Sequence, residues 1–264
     1  MSIKLSAVVI SQNSADVMDR CLESLKFADE IVVVDACSED ETAEIARRYG
    51  AQVITNEWPG FAKQFQLAAD SAKGEWIFRC DTDEEVPESL AQEIREVIER
   101  SDAEDAYRLR RTNQFLGKWI LVGPWTNDIE TRLYKKGQVK ISAGRVHVGE
   151  VAEGSVGWLE NQLHHYAHPT LAASIHRLNW YTTLEAADRV TKRRIRPFDF
   201  VFPPMGVFLN YYVRKGCWRV GVHGFLLSAI TAMYKSVLYM KIYMLQHSDK
   251  SADPTSEEHK IRKS

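Results

Sequence analysis

The chain has 264 residues, 36 acidic and 34 basic side chains and a formal charge of −2, with 45% hydrophobic residues. That length suits one large core with an accessory segment and leaves little room for two full domains. The near-neutral balance and the lack of an RNA-binding or helix-turn-helix pattern exclude nucleic acid as the expected partner, while scattered Cys21, Cys37, Cys80 and Cys217 without a signal peptide point to the cytoplasmic side.

In chain order, Lys4 to Ile10 reads as a first buried strand and Glu30 to Val34 as a second, each followed by a helical pattern, so the chain opens as a βαβ series. The second strand ends in Asp35. Ser38 and Glu41 then have capping-box spacing for a helix to about Tyr49, with Gly50 as its stop. Val53 to Thr55 predicts a short third strand, Phe61 to Ala72 a helix closed by Gly74, and Glu75 to Cys80 a strand with apolar residues on both faces. Ser101 to Asp105 reads as a surface turn before a strand from Ala106 to Arg110.

The strand before Asp81 ends in three carboxylates, Asp81, Asp83 and Glu84. In open α/β sheets, ligands gather outside the strands' carboxyl ends. Alternate residues of an extended segment point the same way, so Asp81 and Asp83 could reach one hard ion, Mg2+ or Mn2+. The competing reading is that this acidic run caps a helix from Pro87 to Glu99. Three strand ends converge on polar residues: Ser11 with Asn13, Asp35, and Asp81 with Asp83.

The runs Ile31-Val-Val-Val-Asp35-Ala-Cys-Ser38-Glu-Asp40-Glu-Thr42 and Trp76-Ile-Phe-Arg-Cys-Asp81-Thr-Asp83-Glu84 resemble the family 2 glycosyltransferases. The chain is most similar there to bacterial enzymes of lipopolysaccharide core assembly, through Arg111 to Lys118, Trp125, Arg132-Leu-Tyr134, Val146-His147 and His165-Tyr166. The resemblance implies an α/β GT-A fold: a Rossmann-like, mostly parallel sheet flanked by helices. It also implies an inverting transferase that moves one sugar from a nucleotide-sugar donor, a UDP-hexose, to a lipid-linked or lipopolysaccharide-core saccharide. By the same resemblance, Ser11 and Asn13 lie beside the nucleotide, Asp35 on the base or ribose, Asp81 near the ribose or metal, and Asp83 on the metal. Relatives carry a basic residue and an Asn where Phe65 and Gln66 stand here, which leaves Lys63 as the nearest cation for the pyrophosphate. Relatives show His-Glu where this chain has His147-Val-Gly-Glu150, so Glu150 is the first choice for the base, with Asp128 as runner-up and His147 as an orienting group. Two other classes stay open, a sugar-nucleotide nucleotidyltransferase and a noncatalytic scaffold of the same fold.

Arg110, Arg111 and Arg132 could grip donor or acceptor phosphate, and Trp119, Trp125, Trp158 and Trp180 could stack on sugar or pack in the core. His164, His165 and His168 lack the partnered spacing of a zinc site, so a structural or substrate-contacting role is expected for them. Trp218-Arg219 does not complete the Gln-x-x-Arg-Trp signature of processive relatives, so one sugar is expected per acceptor. Residues 1–188 form the expected transferase domain, 189–247 a basic and aromatic helical segment, and 248–264 a disordered tail. Phe198 to Val213 and Phe225 to Leu245 read as interfacial helices on an anionic membrane, peripheral to the cytoplasmic face of the inner membrane; a core helix or an oligomer interface would give the same pattern.

Overall fold

A computed structural model describes residues 3–141, 150–192 and 194–247. The expected roles of His147 and of the tail 248–264 lie outside these residues. The chain divides into two compact units, Met1–Asn113 with Asn127–Tyr166, and Gln114–Thr126 with Ala167–Ser264.

In the first unit, β1 (Leu5–Ser11), α1 (Ala15–Ser24), β2 (Glu30–Asp35), α2 (Thr42–Arg48), β3 (Gln52–Thr55), α3 (Phe61–Ser71) and β4 (Trp76–Asp81) follow the predicted βαβ order. Strands β3, β2, β1 and β4 are parallel neighbours. A parallel strand covered on both faces buries every side chain, and all seven residues of β1 are buried. Period-two alternation then sorts them. Leu5, Ala7 and Val9 join Ile31, Val33, Trp76 and Phe78 on one face, packed by Met18 and Leu22 of α1. Val8 and Ile10 join Val32, Val34 and Ile77 on the other, packed by Phe65, Ala68 and Ala69 of α3. Gly74 stands where the chain crosses β1; a Cβ there would lie 2.7 Å from Ser6 N.

The chain continues through β5 (Glu84–Glu85), α4 (Glu88–Ile98), β6 (Ala106–Phe115), β7 (Lys118–Ile120), β8 (Ile129–Lys135), β9 (Val139–Ile141), β10 (Glu150–Ala152), β11 (Val156–Trp158) and β12 (Leu163–His168). Strand β8 pairs antiparallel with both β4 and β6, and β12 with β5, so the sheet runs β3-β2-β1-β4-β8-β6-β12-β5. The parallel half thus carries the predicted strand ends, and the antiparallel half returns residues of the later sequence to them. Pro87 precedes α4 with no side-chain cap, and Glu84 lies in β5, so the acidic run does not cap that helix.

The second unit holds α5 (Leu171–Arg189), α6 (Phe202–Leu209) and α7 (Val222–His247). Thr170 caps α5, its hydroxyl accepting from Ala173 N at 3.1 Å. Helix α5, which the division at residue 188 groups with the transferase domain, packs on α7 in this unit. Polar contacts hold the two. The Lys241 ammonium donates to Asn179 O, Asn179 Oδ1 and Thr183 Oγ1 at 2.5, 2.8 and 2.6 Å, using all three of its protons. Helix α7 has 26 residues and meets the length and composition needed to cross a membrane, although its uninterrupted apolar runs are short in the sequence.

Candidate active site

The site is built where β1, β2 and β4 end. Ser11 is paired with Asp35 and Ile10 with Asp81 in the strand registers, so the two residues flank β1 on strands whose backbones lie about 10 Å apart. Asp35 is 2% exposed. Its Oδ1 accepts from Ser11 Oγ at 3.0 Å and Ser38 Oγ at 2.5 Å, and its Oδ2 from Ser38 N at 2.9 Å. This corrects the capping-box expectation: Ser38 is drawn to Asp35, and Asp40 accepts from Thr42 N at 3.0 Å instead. The Ser38 hydroxyl gives its proton to Asp35 and accepts from Asn13 N at 2.8 Å, so it serves the rim and not the first turn of α2. Asn13 takes a left-handed φ of 45°, donates from its N to Ser38 Oγ at 2.8 Å and accepts Glu39 N on its Oδ1 at 2.8 Å. The loops after β1 and β2 are therefore stitched into one rim.

Across that rim, the turn from Asp81 to Asp83 is locked from below by Glu84. Glu84 is fully buried, and its Oε2 accepts the Asp81 N–H at 2.9 Å. Its Oε1 accepts from Arg111 Nη1 at 3.0 Å and Arg132 Nη2 at 2.6 Å. Arg132 Nη2 also donates to Asp81 Oδ2 at 2.8 Å. Burial opposes ionisation of Asp81, but the Arg132 and Arg79 guanidiniums outweigh it and hold its carboxyl well below the usual range. Arg132 is wholly enclosed in this network, so the structure places it on Asp81 and Glu84 rather than facing a donor.

Arg111 grips Asp128 with two parallel bonds, Nε to Oδ2 at 3.1 Å and Nη2 to Oδ1 at 2.9 Å. Asn113 Nδ2 donates to Asp128 Oδ2 at 2.9 Å. Burial raises the Asp128 carboxyl, and the charge and hydrogen bonds of Arg111 bring it below its ordinary value. Glu150, on β10, has no side-chain exposure and lies 2.8 Å from Arg79 Nε, aligned too poorly for a hydrogen bond. Burial pushes its carboxyl up despite Arg79 and Arg132. Arg79 lies in turn over the Phe65 ring, 4.5 Å from its centroid, so the position where relatives carry a basic residue is here a buried aromatic beneath a guanidinium. Lys63 is exposed in the first turn of α3.

His165 and Asn113 complete the arrangement. His165 Nδ1 lies 2.6 Å from Asn113 Oδ1, whose amide nitrogen is committed to Asp128. The oxygen can only accept, so Nδ1 carries a proton. Its Nε2 faces Asp83 Oδ2 at 3.5 Å, which sets an imidazole nitrogen beside a carboxylate at the acidic turn. Carboxylate and imidazole oxygen and nitrogen donors fit Mn2+ and, through the carboxylates, Mg2+. The charge balance agrees: even with Glu150 left out, Asp81, Asp83, Glu84, Asp128 and Glu130 outnumber Arg79, Arg111 and Arg132. Among the described residues no three His, Cys, Asp or Glu side chains already converge on one ion point.

A family profile described as glycosyl transferase family 2 matches residues 6–144. The chain belongs to glycosyltransferase family 2. This glycosyltransferase is 30% identical over 249 residues to the lipopolysaccharide core biosynthesis glycosyltransferase LpsC of Rhizobium meliloti (strain 1021), covering 91% of this chain and 92% of that one. It is 27% identical over 255 residues to the uncharacterized glycosyltransferase RP128 of Rickettsia prowazekii (strain Madrid E), covering 90% and 86%. Among solved structures, S. aureus TarS 1-349 in complex with UDP-GlcNAc matches with a TM-score of 0.47 and 14% identity, covering 91% of this chain and 90% of that one. Membership of the family decides for the transferase against the nucleotidyltransferase and assigns the mostly parallel sheet to the GT-A-like fold.

Proposed function

We propose that this glycosyltransferase moves one sugar, with inversion, from a UDP-hexose to a hydroxyl of a lipid-linked or lipopolysaccharide-core saccharide, at the cytoplasmic face of the inner membrane. The observation that carries the reading is the Asp81 to Asp83 turn, locked by Glu84 at the edge where β1 and β2 also end. The name of the Rhizobium relative supports the acceptor class, and family membership favours the UDP-hexose.

In this reading the rim of Ser11, Asn13 and Asp35 receives the nucleoside, with Asp35 fixing both serines that line it. Asp83, Asp81 and His165 would hold Mg2+ or Mn2+, and Lys63 would reach the pyrophosphate. The ion, when bound, neutralises the negative charge of the departing diphosphate. Asp128 takes the acceptor's proton: its side chain is 23% exposed whereas that of Glu150 is 0%, it is ionised at neutral pH, and the Arg111 fork fixes its direction. Arg132 keeps Asp81 charged from behind. The basic, apolar second unit holds the enzyme peripherally on an anionic membrane.

The test is slow hydrolysis of a panel of nucleotide sugars by the purified protein with Mg2+ or Mn2+, followed by transfer to a lipopolysaccharide-core acceptor. Metal-dependent hydrolysis that vanishes in Asp83→Ala is expected. Replacing Asp128 with Asn should lower turnover by about 10²-fold or more with little change in donor KM. No hydrolysis of any donor would overturn the reading, and a normal Asp128→Asn would move the base to Glu150.

A further inference from the structure

The second unit carries an apolar stripe that its own packing leaves uncovered. Phe198, Val201, Phe202, Met205, Leu209 and Val213 are all exposed, from 50% at Met205 and Leu209 to 71% at Phe198. Their spacings of three and four keep them on one side of the helical run formed by the short turn before α6, α6 itself and the turn after it. Phe225 at the start of α7 extends the surface, its ring edge-on to Phe208 and Tyr212. A soluble surface seldom exposes so long a contiguous apolar stretch without a partner.

Both ends of the stripe are positive. Arg194 and Arg196 precede it, Arg214, Lys215 and Arg219 follow it, and all five are exposed. From Val190 to His247 the only acid is Asp199, and its carboxylate accepts from the Arg196 backbone N at 2.9 Å.

We propose that this α6 face, and not α7, is the surface that enters the membrane: it lies flat at the boundary of headgroups and acyl chains, with its two basic ends on anionic lipid phosphates. The proposal rests on the peripheral-membrane reading above and names its contact surface. At about 1.5 Å per residue the stripe is roughly 22 Å long, and cations at both ends hold it parallel to the surface rather than across the bilayer. Helix α7 is the obvious rival by length and composition. Its Lys241 is fully engaged by α5, Tyr234 donates to Glu185, and Leu238, Tyr239 and Ile242 are buried in a cluster with Ala186. Spanning would break these contacts and place Lys235 and Lys241 in hydrocarbon. A second copy of the chain is the other candidate occupant. Because both ends are cationic, any two-fold pairing of the stripe sets like charges against each other, whereas anionic lipid complements them.

The test uses the full-length protein with phosphatidylcholine vesicles, with and without phosphatidylglycerol. Wild type is expected to co-sediment with the anionic vesicles, less so at high salt. Met205→Glu and the pair Arg214→Glu with Lys215→Glu should each weaken binding on the order of tenfold or more, while Met244→Glu on the exposed side of α7 should bind as wild type. Brominated acyl chains should quench Trp218, and Trp218→Phe should remove that quenching. Wild-type thermal unfolding of Met205→Glu excludes misfolding as the cause. The proposal is overturned if Met205→Glu binds normally, if Met244→Glu abolishes binding, or if a lipid-free wild-type dimer dissociates in Met205→Glu. Donor hydrolysis, measured without lipid, tests the transferase reading separately, so a failure there leaves the vesicle result standing.

Discussion

Replacing Glu84 with Gln probes the site from its least accessible member. The carboxylate is fully buried and serves three donors: the Asp81 N–H, Arg111 and Arg132. Glutamine keeps the shape but removes the charge and turns one oxygen into a donor. Whichever way the amide is turned, its NH2 meets an N–H, of Asp81 or of the two guanidiniums. Hydrogen bonds to charged groups contribute about 1.5–3 kcal/mol each, and stripping one partner from a buried ion network costs about 3–5 kcal/mol. Glutamine retains one acceptor, so a loss near the lower end, about 3 kcal/mol, is expected. For a chain slightly larger than 250 residues that lowers Tm by roughly 6–10 °C. The second consequence is local: without its backbone tether the turn that carries Asp83 loosens, and the metal concentration for half-maximal donor hydrolysis should rise. Urea unfolding and a metal titration of hydrolysis read the two effects. A variant within about 1 kcal/mol of wild type, with an unchanged metal midpoint, would refute the claim that Glu84 locks the site, because both arguments start from the same three bonds.

Acidification tests the Arg132 and Asp81 pair. The folded pKa of Asp81 lies below its unfolded value of about 3.8, so its contribution is complete above that value and is lost as pH falls below it. Asp81→Asn should flatten the fall of the urea midpoint below about pH 4, and identical slopes would remove the pair from the stability balance. Asn113→Ala frees the His165 tautomer without touching Asp83, and should raise the metal requirement roughly tenfold or more; an unchanged Mn2+ midpoint would place His165 outside the metal shell. Restoring a basic residue at Phe65, as Phe65→Arg, sets two guanidiniums together in a buried layer and should destabilise by more than about 3 kcal/mol, which chemical denaturation would measure.

The parallel half of the fold was legible because its signals are local. Strands β1, β2 and β4 are apolar on both faces, and each ends in polar residues that the register sets side by side. Ser11, Asp35 and Asp81 could be placed at one edge on pattern alone. Ser38 has capping-box spacing yet bonds Asp35 and Asn13, because spacing says which partners a hydroxyl can reach and not which it meets in the fold. The roles of Glu84 and His165 were hidden for another reason. Arg132 lies 48 residues from Glu84 and His165 lies 52 from Asn113, and those contacts exist only once β8 and β12 have returned beside the acidic turn. The periodicity of a strand carries no information about which strand it will meet.

One signal did point to the hidden half. Arg79 interrupts the apolar strand Trp76 to Cys80, and Arg132 precedes the buried pair Leu133 and Tyr134. A guanidinium cannot be left unpaired in such a layer, since each buried charge costs several kcal/mol, in order of magnitude, unless it is paired and hydrogen-bonded. Two arginines in buried strands therefore call for carboxylates nearby: Asp81 and Glu84 hydrogen-bond Arg132, and Glu130 and Glu150 of the antiparallel half lie within ion-pair distance of Arg79. Buried replacements of similar volume by apolar residues often cost nothing in stability. The network is then better explained by what it does at its surface end: it keeps Asp81 charged and the turn to Asp83 rigid beneath the place where a cation and a diphosphate would meet. A Met in place of Arg132, paired with Gln in place of Glu84, separates the two accounts, since it should recover most of the stability lost in Glu84→Gln while leaving metal-dependent hydrolysis impaired. Recovery of both would make the charges a matter of packing alone.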